Sequence, residues 1–174
     1  RNRKRKWVKG ELESCEFFIK NPEEKKGEWK CSFKRVQPLH LELGCGKGSF
    51  IAELAKRHPE INYIAIDLID DMLGLAKRNI ERVYQEEQKE IDNVLLTAWN
   101  IEQILQILEG ETFDRIYINF CNPWPRPRHN KRRLTYTRQL EMYKKILSQN
   151  GEIYFKTDDT ELYNSSDFRK PCRR

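Results

Sequence analysis

Residues 38–48 read PLHLELGCGKG, a run with alternating leucines that passes directly into three closely spaced glycines. The run predicts a β-strand over residues 38–43. A glycine-rich turn after the first strand of an α/β domain lets the backbone approach a ligand closely. The turn therefore marks either a ligand site at the end of this strand or a purely structural bend.

The chain beyond this turn alternates β-rich runs with segments of helical periodicity. Strands are predicted at 38–43, 62–67, 93–98, 115–120 and 152–156. Helices are predicted at 49–57, 101–108 and 137–148, and a further one begins after a cap at Asp70 or Asp71. Asn150 and Gly151 are predicted to stop the last helix. This order predicts a Rossmann-like α/β fold, a mostly parallel, doubly wound sheet with helices on both faces.

Polar residues at the ends of three predicted strands suggest which ligand the glycine turn binds. Glu42 precedes the turn and could reach a ligand ammonium or order the loop, and the Asp67 carboxylate could accept from both hydroxyls of a ribose. Asn100 could bond an adenine edge, whereas its neighbour Trp99 suits core packing equally well. The glycine spacing departs from the G-x-G-x-x-G dinucleotide pattern. S-adenosyl-L-methionine is therefore favoured over a nicotinamide cofactor, with Gly44 and Gly46 also in its site.

Composition limits the class of protein. The 174 residues suit one domain, 38% of them are hydrophobic and 34% are charged, and no apolar run is long enough to cross a bilayer or to form a signal peptide. We therefore expect a cytoplasmic protein without a membrane partner. Five scattered cysteines, with no C-x-x-C spacing, predict reduced thiols rather than disulfides or a metal site.

The net charge of +6 is concentrated in two basic clusters. Residues 1–9 hold six Lys or Arg and no acid, and residues 126–138 hold another six together with His129. The second cluster is interleaved with Trp124 and prolines, as in many nucleic-acid contact surfaces. A solvated tail and a solvated charged face are the alternatives for the two clusters.

The second cluster lies within the most distinctive motif, NFCNPWPRPRHNKRRL at residues 119–134. Together with LELGCGKG at 41–48 and FKTD at 155–158, it resembles the bacterial tRNA (guanine-N7)-methyltransferase family, a class I family that uses S-adenosyl-L-methionine. The resemblance runs from the basic start to about Phe168. It implies methyl transfer to N7 of a guanosine in tRNA.

The resemblance also implies roles for individual residues. Four positions match the family's cofactor site, namely Glu42, Asp67, Asn100 and Asn122. The positions that match its RNA-substrate site are Arg126, Arg128, His129, Asn130, Lys131, Arg132, Arg133 and Asp158. Two of the cofactor positions, Asn100 and Asn122, are amides where the family usually has aspartates.

The chemistry tolerates an amide at position 122. N7 of guanine carries an available lone pair, so its methylation requires positioning rather than a strong base. We therefore expect Asn122 to position the reactants and Asp158 to bind the guanine, as the two catalytic residues. A helix cap ahead of Glu161 is the alternative for Asp158.

The resemblance suggests a division of the chain. We expect a basic N-terminal arm or cap at 1–37, a methyltransferase domain at 38–168 and an atypical tail at 169–174. The family continues with one more helix and two strands, so we interpret the chain as a fragment of a longer protein. Pairing with a second copy and an aberrant end are the alternatives, and a monomer or a homodimer is expected. A methyltransferase for another substrate and a non-catalytic RNA-binding module are the rival functions.

Overall fold

The computed structural model describes residues 5–120 and 127–159, apart from the side chains at positions 127 and 130. The α-helices are α1 (Lys6–Glu13), α2 (Ser49–Arg57), α3 (Asp70–Glu86), α4 (Leu105–Leu108) and α5 (Thr137–Ile146). The strands are β1 (Phe18–Ile19), β2 (Leu39–Leu43), β3 (Asn62–Asp67), β4 (Val94–Ala98), β5 (Phe113–Asn119) and β6 (Leu147–Lys156). Short 3-10 helices lie at Pro22–Lys25, Trp29–Ser32, Ile101–Gln103 and Pro127–Arg132.

All six strands form one parallel sheet in the order β1-β4-β3-β2-β5-β6. The chain winds outward from β2 through β3 to β4, crosses back to β5, and winds outward again to β6. Because such connections are right-handed, the two directions of winding place α2 and α3 on one face and α4 and α5 on the other. The predicted doubly wound α/β fold is confirmed.

The central strands match the prediction because their sequence pattern is strong. All residues of β2 and β3 are buried, as expected for strands covered on both faces. The bounds of α2 and β3 agree with the predicted ones. The single helix expected over 101–108 is instead a 3-10 turn followed by the short α4.

The segment before β6 differs from the prediction. The sequence pattern predicts a last helix that runs to Ser148 and is stopped by Asn150 and Gly151. The helix ends at Ile146, and both of these residues lie inside β6. The β5–β6 register is irregular here, because Phe113 pairs with Leu147 while Arg115 pairs with Glu152. The Asn-Gly pair therefore lies in this irregular part of β6 rather than at a helix stop.

The described part of the N-terminal segment is folded against the rest of the protein. Strand β1 pairs with β4, so it adds an edge to the sheet that the sequence did not reveal. The Trp29 side chain is fully buried at 0% exposure, and its indole N–H donates to the Ile107 carbonyl at 2.7 Å. Helix α1 packs on α3, where a Cβ at Gly74 would lie 2.8 Å from Val8 Cγ2. These contacts join residues 5–37 to the same hydrophobic core.

Candidate active site

The glycine turn lies at the carboxyl ends of the two strands where the winding reverses, β2 and β5. Ligands of doubly wound sheets bind at this position. Gly44, Gly46 and Gly48 have φ values of +73°, +54° and +72°, which a glycine adopts without strain. The backbone N–H groups of Gly44 and Cys45 both donate to the Ile66 carbonyl, at 2.8 and 3.0 Å. The turn is therefore tied to the neighbouring strand β3.

Asp67 connects the end of β3 to this turn. The residue is buried, at 9% exposure. One oxygen accepts from the Gly46 N–H at 2.8 Å, and the other accepts from the Ile69 N–H at 2.9 Å. Asp67 thus orders the glycine turn and the start of α3. Its contact with a ribose stays a prediction.

Glu42 is a buried carboxyl group directly below the turn. It is 2% exposed, and its Oε2 has no hydrogen-bond partner within the described residues. Burial raises the pKa of Glu42 to about 8, and the Asp67 carboxylate adds to this rise, while the Asn119 side chain opposes it. Such a group is poised to ionise when a cation arrives, because an opposite charge favours its carboxylate form.

Asn119, at the end of β5, is a site residue that the sequence pattern marks only as part of a strand. Its side-chain Nδ2 is buried beside the Glu42 carboxyl group, which is how it opposes the rise in that pKa, but it makes no hydrogen bond of good geometry within the described part of the chain. Glu42 thus offers an acceptor and Asn119 a donor at the ends of adjacent strands. This pair suits a ligand that carries an ammonium and a carboxylate, such as an α-amino acid group. The sequence signal that could have identified Asn119 is a polar residue at the end of a buried, largely apolar strand.

Asn100 follows β4 and caps the next 3-10 turn. Its Oδ1 accepts from the Glu102 N–H at 3.0 Å. The half-buried Trp99 donates its indole N–H to the Gln103 carbonyl at 3.0 Å, and its backbone N–H donates to the Asp67 carbonyl at 3.1 Å. An amide fulfils this capping role as well as an aspartate does. The adenine contact expected of Asn100 stays a prediction.

The basic stretch at 128–133 presents its side chains unequally. Arg128, Lys131 and Arg132 are exposed, and His129 is half-buried. Arg133 is only 5% exposed, so its side chain is enclosed by protein rather than presented to solvent with the others. Asn122 and Arg126 lie outside the described residues, as does the side chain of position 130. The RNA-contacting roles of these residues stay predictions.

The end of the basic stretch lies beside the glycine turn. A Cβ at Gly44 would lie 3.5 Å from Leu134 Cδ1, and the Leu134 carbonyl accepts from the Tyr143 hydroxyl at 2.8 Å. Asp158 is exposed and follows the end of β6, at the same edge of the sheet. The helix proposed as the alternative role for Asp158 falls outside the described residues. The structure therefore brings the predicted cofactor turn, the basic stretch and Asp158 to one edge.

Within 5–120 and 127–159, no cluster of His, Cys, Asp and Glu could hold a metal ion. The same residues contain no helix that is both long and apolar enough to span a membrane. Among the described cysteines, Cys15, Cys31 and Cys45 are free thiols. Burial and the nearby acids raise the pKa of Cys45, so this thiol in the turn is neutral.

Comparisons with known proteins show the family to which the chain belongs. A family model described as "Putative methyltransferase" matches residues 36–168. A tRNA (guanine-N(7)-)-methyltransferase of Clostridium botulinum (strain Alaska E43 / Type E3) is 57% identical over 95% of this chain and 76% of its own length. The chain belongs to this family. The relative from Clostridium beijerinckii is 58% identical over the same shares of both chains. The predicted resemblance to the tRNA (guanine-N7)-methyltransferase family is confirmed.

Solved structures support the fold of this family member. The PKMT2 protein of Rickettsia typhi, in complex with AdoHcy, superposes with a TM-score of 0.50 at 23% identity, over 67% of this chain. The aligned part spans only 20% of the PKMT2 chain. The PH0226 protein of Pyrococcus horikoshii OT3 superposes with a TM-score of 0.50 at 17% identity, over 76% of this chain and 50% of its own. Both comparisons match the Rossmann-like α/β architecture.

Proposed function

We propose that this protein transfers the methyl group of S-adenosyl-L-methionine to N7 of a guanosine in tRNA, giving 7-methylguanosine. The observation that carries the proposal is the 57% identity, over 95% of the chain, to a relative named for this activity. The exposed basic side chains at 128–132 suit a polyanionic substrate such as RNA. The rival function, methylation of a small molecule, explains them less well.

The residues around the glycine turn fit the proposed cofactor. The buried acceptor of Glu42 and the buried donor of Asn119 suit the ammonium and carboxylate of its methionine part. The turn itself lets backbone approach the ligand, and Asp67 holds it in place. S-adenosyl-L-methionine supplies a methyl group on a sulfonium, to which the N7 lone pair can bond without prior loss of a proton.

The protein's task is then positioning, since no general base is required. Correct placement of two reactants can supply much of the rate enhancement of such a reaction. We assign this placement to Asn122 and Asp158, which hold the reactants and the guanine, and the capture of the RNA substrate to Arg126 and the exposed cations at 128–132. The tRNA substrate also suggests a cytoplasmic protein, acting as a monomer or a homodimer.

The direct test is to incubate the protein with unmodified tRNA and labelled S-adenosyl-L-methionine, and to analyse the nucleosides. We expect labelled 7-methylguanosine, and strongly reduced product with Asn122→Ala. Wild-type turnover by Asn122→Ala would refute its positioning role. Binding of tRNA without any labelled product would instead support a non-catalytic RNA-binding module.

Affinity for tRNA is expected to fall steeply with salt, because the exposed cations contact phosphates. Replacing Arg128, Lys131 and Arg132 by glutamine should reduce the slope of log affinity against log salt by about 2 to 3, one phosphate contact for each lost charge. The slope is measured by fluorescence titration at several salt concentrations. Arg57→Gln is the control. This arginine is also exposed, but it lies at the last residue of α2, the end of the helix that is far from the glycine turn. An unchanged slope in the triple variant would show that these cations do not bind RNA.

A further inference from the structure

Phe120 directly follows β5 in an unusual backbone conformation. Its φ is +48°, in the left-handed region that bulky side chains rarely adopt. Its N–H donates to the Lys156 carbonyl at 2.7 Å, which extends the β5–β6 pairing past Asn119. The neighbouring strand therefore holds Phe120 in a conformation that a glycine would adopt without strain. Strained residues of this kind are concentrated at functional sites.

The Phe120 ring does not serve the hydrophobic core. Its residue is 58% exposed, although it is a large aromatic side chain at the end of a buried strand. Lys156 places its ammonium 5.5 Å from the ring centroid. The ring therefore lies at the surface with a cation over it. Neither burial nor backbone geometry explains why a phenylalanine occupies this position.

The location of Phe120 connects the two halves of the candidate site. It follows Asn119, whose amide lies beside the buried Glu42, and it is the second residue of the motif at 119–134, ahead of the prolines. Lys156, which contacts the ring, is two residues from Asp158. An exposed aromatic ring therefore directly follows a residue of the proposed cofactor site, and it contacts the strand that leads to the proposed guanine-binding residue. Bases taken out of an RNA stack are commonly held against such faces.

We propose that Phe120 is the stacking platform for the target guanine, an inference that rests on the proposed function. In the transfer, the N7 lone pair forms the new bond to the methyl carbon, and the sulfur keeps the electron pair of the bond that breaks. Positive charge therefore moves from the sulfur to the guanine ring. An aromatic face attracts a cation, so a guanine that takes the place of the Lys156 ammonium on the Phe120 ring is stabilised more in the transition state than as the neutral substrate.

The test compares Phe120→Gly, Phe120→Leu and Phe120→Trp with the wild type. Glycine removes the backbone strain together with the ring, leucine keeps an apolar side chain, and tryptophan keeps an aromatic face. We expect kcat/KM for tRNA to fall by about 5- to 150-fold in the glycine and leucine variants, the range of base–aromatic stacking. The tryptophan variant should retain activity within about 3-fold.

Two further measurements separate stacking from other roles. Affinity for S-adenosylhomocysteine, measured by calorimetry, should be unchanged in all three variants, and the Tm of Phe120→Gly should equal or exceed that of the wild type. Val36→Ala is the control, because Val36 is highly exposed and precedes the first central strand. It should match the wild type in every measurement.

Each contrary result has a distinct meaning. Wild-type activity in the leucine variant, whether or not the glycine variant is also active, would overturn the stacking role. Loss of S-adenosylhomocysteine binding would also overturn it, since Phe120 would then serve the cofactor. If the wild type itself makes no 7-methylguanosine, the proposed function fails first, and the inference fails with it.

Discussion

Replacing Gly48 by alanine is expected to destabilise the protein by about 3 kcal/mol or more, by combining left-handed strain with overpacking. A Cβ at this position would lie 2.6 Å from Ala76 Cβ and 2.8 Å from Ala76 Cα. The second contact is with the backbone of α3, so no side-chain rotation can relieve it. Helices α2 and α3 would have to separate at the point where they support the glycine turn. Urea unfolding of the two proteins measures the difference.

Two other glycines of positive φ are matched controls for this prediction. Gly46 and Gly27 have φ values of +54° and +78°, but a Cβ on either would meet no atom within 4 Å. Alanine at these positions should therefore cost only about 1 to 2 kcal/mol, from backbone strain alone. Equal losses at all three positions would show that contact with α3 does not matter.

Replacing Glu42 by glutamine is expected to weaken S-adenosylhomocysteine binding by about 10- to 100-fold, the equivalent of one lost hydrogen bond to a charged group. Glutamine keeps the shape of the side chain but cannot ionise to pair with the ligand ammonium. Calorimetric titration measures the change. Glu60→Gln is the control, because this carboxylate is exposed, next to His58. Unchanged affinity in Glu42→Gln would remove Glu42 from the cofactor site.

The raised pKa of Glu42 also predicts two pH dependences of opposite sign. Its folded pKa of about 8 exceeds the ordinary value of 4.5, so the stability linked to this group is complete below pH 4.5 and is lost as pH rises through 8. Ligand binding favours the ionised form, so S-adenosylhomocysteine should bind more tightly as pH rises toward 8, with release of a proton. Both dependences should be absent from Glu42→Gln.

The sequence predicts the centre of the fold well, for a physical reason. Strands β2 and β3 are covered on both faces, and their short runs, with alternating leucines in β2 and mostly apolar residues in β3, do not fit helical spacing. Glycines of positive φ are required at the turn, so their close spacing in the sequence already identifies the ligand edge of the sheet. The polar residues Glu42 and Asp67 are conspicuous because they interrupt or end these apolar runs.

The edges of the fold are harder to predict, because tertiary contacts decide them. The two-residue β1 has too little sequence for any periodicity, and it exists only through its pairing with β4. The Asn150-Gly151 pair is a helix-stop signal by composition, but pairing of β6 with β5 places it in an irregular part of the strand. Likewise, burial of Arg133 and the left-handed backbone of Phe120 depend on neighbours that local sequence does not specify.

The pairing of β1 with β4 also has a consequence for the order of folding. The Ile19 carbonyl accepts from the Thr97 hydroxyl, and the Trp29 indole N–H donates to the Ile107 carbonyl, so the N-terminal segment is held by residues 78 positions later in each case. During synthesis this segment is made before the middle of the chain, but it cannot dock until that middle part has been made. Closing so long a loop is entropically unfavourable before the central strands have formed. We therefore expect the N-terminal segment to gain hydrogen-exchange protection last during refolding.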